Sequence, residues 1–160
     1  MRPAALIAAL IWAGPVLADG DGLEFSVAGT ETCLSQIGGP ECIGISAALC
    51  MTATEGGAST YGMGGCLSKE ADYWDARLNA AYQDLMRRAR ENDGDFNPPQ
   101  SQAEALRDMQ RAWIAYRDAR CGYEYSLWQG GTGGGPASVA CYMEVTGEQA
   151  LYLESGGAGF

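Results

Sequence analysis

Twenty carboxylates and six thiols are the side chains in this sequence best suited to chemistry, and there is no histidine. Without imidazole the usual general base is missing, and so are the Ser-His and Cys-His pairs that activate a nucleophile. A two-carboxylate mechanism could draw on Glu70, Asp72 and Asp75, or on Asp118 and Glu124. Those acids fall in amphipathic segments, where a charged position ordinarily meets solvent, so no catalytic residue and no enzyme activity are expected. The glycine cluster Gly130 to Gly135 lacks the Gly-Lys-Ser/Thr ending of a phosphate cradle and reads as a flexible connector.

The six cysteines Cys33, Cys42, Cys50, Cys66, Cys121 and Cys141 contain no C-x-x-C pair, so neither a metal site nor any cofactor is expected. Their even number reads as disulfides formed in an oxidising compartment. The opening residues agree with that compartment. Arg2, the apolar run Ala4 to Ala13, Pro15 and the small residues Val16-Leu17-Ala18 make a secretory leader with cleavage after Ala18. The run is too short to cross a bilayer, no later segment is expected to span one, and no cysteine follows the cleavage point to carry a lipid. A periplasmic or secreted location is therefore expected.

Losing Arg2 with the leader leaves nine basic side chains against twenty acids, a net charge of −11. Nucleic acid is an unsuitable partner for such a surface, because binding it requires cations to replace counterions. Solubility alone accounts for the acidity, although the same field attracts a basic protein.

The strongest periodicity in the chain places these groups. Leu67, Ala71, Trp74, Leu78, Ala81, Leu85 and Ala89 mark one face of a long helix, with Ser59 or Thr60 able to cap its start and Asp93-Gly94 expected to end it. Ser101-Gln102-Ala103-Glu104 is a capping box opening a second helix, whose inner face is read as Leu106, Met109, Trp113, Tyr116, Tyr123 and Leu127. The short connection makes the two helices antiparallel neighbours. A shorter helix is expected from about Glu41 to Thr52, and Thr146-Gly147-Glu148-Gln149 predicts another running toward Leu153.

The fold class is thus all-α, an antiparallel helical hairpin with flanking short helices, stapled by disulfides. The chain divides into a leader (1–18), a flexible lead-in (19–32), a cysteine-rich segment (33–65), the helical domain (66–153) and a flexible tail (154–160). Helix geometry disfavours two bridges. Cys66 and Cys121 would lie about 9 Å apart along the hairpin, and Cys42 and Cys50 about 12 Å apart on one helix. Of fifteen possible pairings ten remain, and the residues do not choose among them.

Trp113, Tyr116 and Arg117 form the candidate binding group, since aromatics beside an arginine most often carry interface energy. On the heptad face Trp113 and Tyr116 also read as core, while Arg117 and Asp118 flank it and could tie the helix to the carboxy-terminal segment.

The strings Leu78-Asn79-Ala80-Ala81-Tyr82 and Gln110-Arg111-Ala112-Trp113-Ile114-Ala115-Tyr116-Arg117-Asp118-Ala119-Arg120-Cys121, then Gly130-Gly131-Thr132 and Cys141, follow in a distinctive order. Over about Cys66 to Leu153 this pattern resembles the exported LprI-type lysozyme-inhibitor family. Two features depart from it: Gln149 stands where the family pattern ends in arginine, and Cys33 to Cys50 adds cysteines. The resemblance implies a helical, disulfide-bonded envelope domain with a protein partner, a basic lysozyme-type hydrolase, blocked without any covalent step. Arg117, or the loop carrying Gly131 and Thr132, would then enter the substrate cleft, where a guanidinium can pair with catalytic carboxylates. The alternative is a structural or scaffolding domain of the cell envelope without inhibitory activity.

Overall fold

The computed structural model describes residues 22–96 and 98–157; the proposed leader and its cleavage point lie outside the described residues. Among the described residues five α-helices follow in order: α1 (Ala28–Gln36), α2 (Ile45–Ala53), α3 (Thr60–Phe96), α4 (Gln102–Ser126) and α5 (Gly134–Glu154), with a 3-10 turn at Pro40–Cys42. No strand occurs among the described residues, so the fold is all-α.

The axis of the molecule is α3, 37 residues or about 55 Å long. Ser59 caps its start, its hydroxyl accepting from the Gly62 amide at 3.0 Å. The apolar stripe then turns inward: Leu67, Trp74, Leu78 and Ala89 are buried, and Ala71, Ala81 and Leu85 pack half-buried against the same core. Asp93 does not end the helix, which continues to Phe96.

Instead Asp93 caps the next helix. Its carboxylate accepts from the Ser101 hydroxyl at 2.7 Å and from the amides of Gln102 and Ala103 at 2.8 and 3.0 Å. Ser101 in turn accepts from the Glu104 amide at 3.1 Å, so half of the expected capping box is present, and Asp93 adds acceptors for the next two free amides, those of Gln102 and Ala103. The Ser101 and Ala103 donors hold the Asp93 carboxyl below the ordinary carboxylate range. A depressed folded-state value means that the contribution is complete above the unfolded pKa and disappears as pH falls through the folded one. Asp93→Ala is accordingly expected to lower the melting temperature near neutral pH, and the gap to the unsubstituted protein should close as the medium is acidified through and below the ordinary carboxylate range. A gap constant with pH in circular dichroism melts would show that the charge is not what caps α4.

Antiparallel α3 and α4 form the expected hairpin, but the most extensive partner of α3 is α5. This helix is longer than the expected segment and starts inside the glycine cluster, where Pro136 falls in the first turn and lacks only an amide that no helix bond would use. Packed against α3 on one side and α4 on the other, α5 buries Met143, Val145, Gln149, Ala150, Leu151 and Leu153. Thr146 is therefore a buried mid-helix residue and not a cap. The position of α5 also corrects the inner face of α4. Leu106, Met109 and Trp113 face the core, whereas Tyr116, Tyr123 and Leu127 are exposed.

The described part of the lead-in expected over residues 19–32 is anchored at Leu23 and Thr30, with most of its other residues exposed. Leu23 is buried against the Cys50–Cys66 bridge with Phe25 half-buried beside it, and the Glu24 amide donates to the Thr54 hydroxyl at 2.9 Å. The bridges join consecutive cysteines: Cys33–Cys42, Cys50–Cys66 and Cys121–Cys141, with Cα separations of 5.5, 5.7 and 5.4 Å, inside the range a disulfide accepts. Both pairs disfavoured on helix geometry are absent.

The single helix expected over Glu41 to Thr52 is broken at Gly44, whose φ of 93° lies in the left-handed region that a side chain would strain. The break lets the chain turn its amides onto Glu70, a fully buried carboxylate on α3. Glu70 Oε1 accepts from the Thr30 hydroxyl at 2.9 Å, the Gly44 amide at 2.8 Å and the Trp74 indole at 3.1 Å, and Oε2 accepts from the Ala47 amide at 2.6 Å. The carboxylate thereby supplies the start of α2 with the acceptor its own residues lack, where the helix dipole favours a negative charge.

Candidate functional site

The string from Gln110 to Cys121 lies on α4 and meets α5 along a face set by steps of three and four residues: Gln110, Trp113, Arg117 and Cys121. Each makes a different connection. The Gln149 side chain donates to Gln110 Oε1 at 3.0 Å in the buried seam between the helices. Trp113 packs both on the main core and on the cluster around Cys121, Cys141 and Val145. The Arg117 guanidinium sits 5.1 Å from the Trp113 ring centre and 5.2 Å from that of Tyr142, a stacking that fastens α4 to α5. It also donates twice to Asp118 Oδ1, at 3.0 and 2.9 Å, and its side chain is only 21% exposed. Arg117 is thus held down between rings and does not project.

The outward parts of the same segment are aromatic. Tyr116 is 56% exposed and Trp128 50% exposed. Between α4 and α5 the chain turns through residues 127–133, closed by bonds from the Gly131 amide to the Trp128 carbonyl at 2.7 Å and from the Gly134 amide to the Gly131 carbonyl at 3.1 Å. Gly131 and Thr132 are exposed on this turn. The Trp128 ring packs directly on Gly133, where a β-carbon would lie 2.1 Å from Cζ3, so glycine there is what lets the indole fold over the turn. The structure therefore brings Trp113 and Arg117 together beneath the surface, leaves Tyr116 beside them on the outside, and puts Gly131 and Thr132 on the loop at the end of α4.

Tyr116 also borders a groove of about 410 Å³ between α4 and α5, lined with Trp113, Tyr152, Val145, Glu148 and Pro40. Sequence reasoning missed this groove because Val145 precedes the helix expected from Thr146 toward Leu153, and nothing local shows that this helix, with Tyr152, packs beside α4. A larger depression of about 520 Å³ lies toward the other end of α4, bounded by Leu85, Ala89, Leu106 and Met109, and contains none of the motif residues on the Trp113 to Cys121 stretch.

The acids considered for catalysis do not share a cleft. Asp72, Asp75 and Asp118 are exposed, Asp75 accepting from Asn79 at 2.8 Å, and Glu124 accepts from Arg120 at 3.4 Å. Glu70 is the exception to the expected solvated face, enclosed with both oxygens engaged. Its position was marked: it stands four residues after Cys66 and four before Trp74, within the inward stripe. Among the described residues no group of three or more Cys, Asp or Glu side chains is arranged to hold a metal ion, and no helix is long and apolar enough to cross a membrane.

A small helical domain braced by three disulfides, with an aromatic seam and an acidic surface, is an extracytoplasmic type of protein, since such bridges persist in oxidising compartments. Residues 50–153 match the family described as lysozyme inhibitor LprI, and the chain belongs to that family. It is also similar to a Rhodobacter capsulatus protein named "Uncharacterized 17.7 kDa protein in puhA 5'region", with 27% identity over 145 residues, covering 84% of this chain and 89% of the relative. No solved structure matches the chain.

Proposed function

We propose that this protein is an exported inhibitor that binds a muramidase non-covalently and occludes its substrate cleft. The family match across residues 50–153 carries the reading, and the excess of acids over bases suits a basic enzyme. Residues 1–18 act in this reading as the leader, removed after Ala18, which puts the mature chain in the periplasm or outside the cell. Tyr116 and the Gly131-Thr132 turn supply direct contacts, with Trp128 as an aromatic anchor. Trp113 and Arg117 support them from beneath by fixing α4 on α5. No bond is made or broken in the complex, because occlusion needs only complementary surfaces.

Titrating the oxidised mature chain into a muramidase turnover assay at low salt tests this. Turnover should fall to a plateau, and added salt should weaken the effect as the opposed charges are screened. Trp128→Ala should weaken inhibition by about 30-fold, the scale of an aromatic anchor worth about 2 kcal/mol, while leaving the helical circular dichroism signal intact. Full turnover in the presence of excess inhibitor, across several muramidases, would remove the proposal.

A further inference from the structure

The geometry points to the groove between α4 and α5 as the seat for a cationic side chain, an arginine or lysine, carried by a basic protein partner. This deepens the inhibitor reading by naming where and how such a partner is recognised. Three aromatic side chains, Trp113, Tyr116 and Tyr152, line one space of about 410 Å³, and Val145, 2% exposed, gives it an apolar floor. Ring faces around an apolar floor attract a cation by their quadrupoles once it sheds water.

The second requirement is a counter-charge, which Glu148 provides. Its side chain lines the same groove and is 57% exposed, so the carboxylate stands at the mouth. Glu148 reaches Arg120 at 4.0 Å, a long contact, and Arg120 is held as well by Glu124 at 3.4 Å and by the Tyr116 hydroxyl. Glu148 can therefore turn to an incoming guanidinium or ammonium while Arg120 stays paired with Glu124. The net charge of the chain, −10 in full, steers cations toward it. The protein already uses this chemistry internally, because Arg117 lies between Trp113 and Tyr142 one turn along the same seam.

The test is a titration of the oxidised protein, followed by amide and indole proton–nitrogen spectra, with the peptide Gly-Arg-Gly-Arg-Gly. Its isosteric citrulline counterpart and a chito-oligosaccharide are run in parallel. Saturable shifts should appear at the Trp113 indole and at Tyr116, Val145 and Gln149 with the arginine peptide alone. Glu148→Gln should weaken them about ten-fold, the scale of one charge-assisted contact, and Tyr116→Ala should do at least as much. Both positions are exposed, so the variants are expected to keep the fold, and their melting curves check it.

Absent or scattered shifts, equal binding of the citrulline peptide, or groove shifts with the oligosaccharide would each overturn the assignment. Inhibition of a muramidase by the unsubstituted chain is scored separately and decides the broader reading. If that inhibition occurs and both variants inhibit equally well, the groove assignment fails while the inhibitor reading stands.

Discussion

Glu70→Ala is expected to destabilise the protein by about 3–5 kcal/mol, because it removes a buried acceptor on which four donors converge and leaves them without a partner. The amides of Gly44 and Ala47 would lose the partner that starts α2, and the Trp74 indole would be left in the core with a proton to donate. Glu70→Gln should cost less, about 1–3 kcal/mol, since one oxygen remains but its amide group would turn a donor toward another donor. Urea unfolding of the oxidised chain measures both. A midpoint for Glu70→Ala equal to that of the unsubstituted protein would mean that water replaces the carboxylate and that the network does not hold α1 and α2 on α3.

Reduction of the three bridges is the other large effect. They close separate loops of 9, 16 and 20 residues, and loop-closure entropy assigns them about 9 kcal/mol together, the size of the whole net stability of a domain this large. The loops do not overlap, so their contributions are expected to add. Helical circular dichroism should therefore be lost at physiological temperature in strong reductant. Cys121→Ser with Cys141→Ser alone should cost about 3 kcal/mol. A fully reduced chain that still melts cooperatively at nearly the same temperature would sink this account of what braces the fold.

How far the sequence reaches depends on what each element packs against. The inward stripe of α3 is readable because one side of that helix meets the core and the other meets water, so burial writes a 3.6-residue period into the residues. The start of α4 is readable from Ser101 and Glu104, since a cap depends on neighbours in the chain. The helix α5 is different. It lies between α3 and α4, is buried on much of its circumference, and so has no polar face to mark its period; its opening glycines and Pro136 look like a break. Only its last part, from Thr146 toward Leu153, is legible, and without the first part the expected inner face of α4 includes Tyr116, Tyr123 and Leu127, which the structure leaves exposed.

The candidate site followed the same division. Trp113 and Arg117 are legible as a group because they share one helix; of Arg117 and Asp118, expected to tie α4 to the carboxy-terminal segment, Arg117 stacks on Tyr142 of α5 while Asp118 stays exposed beside it. The groove beside them needs Val145, Glu148 and Tyr152, which no local pattern joins to α4. Glu70 is expected in solvent on its residue type alone; its register marks it as inward, but the donors that make burial tolerable, on Thr30, Gly44 and Ala47, come from distant parts of the chain.

Because the cysteines pair first with second, third with fourth and fifth with sixth, the covalent pattern contains no crossing and no long-range tie. For a polypeptide threaded amino-terminus first into an oxidising space, each thiol meets its proper mate before a competing pair has arrived. Sequential oxidation during emergence then yields the native arrangement by order of appearance, with no wrong bridge to be undone by an isomerase.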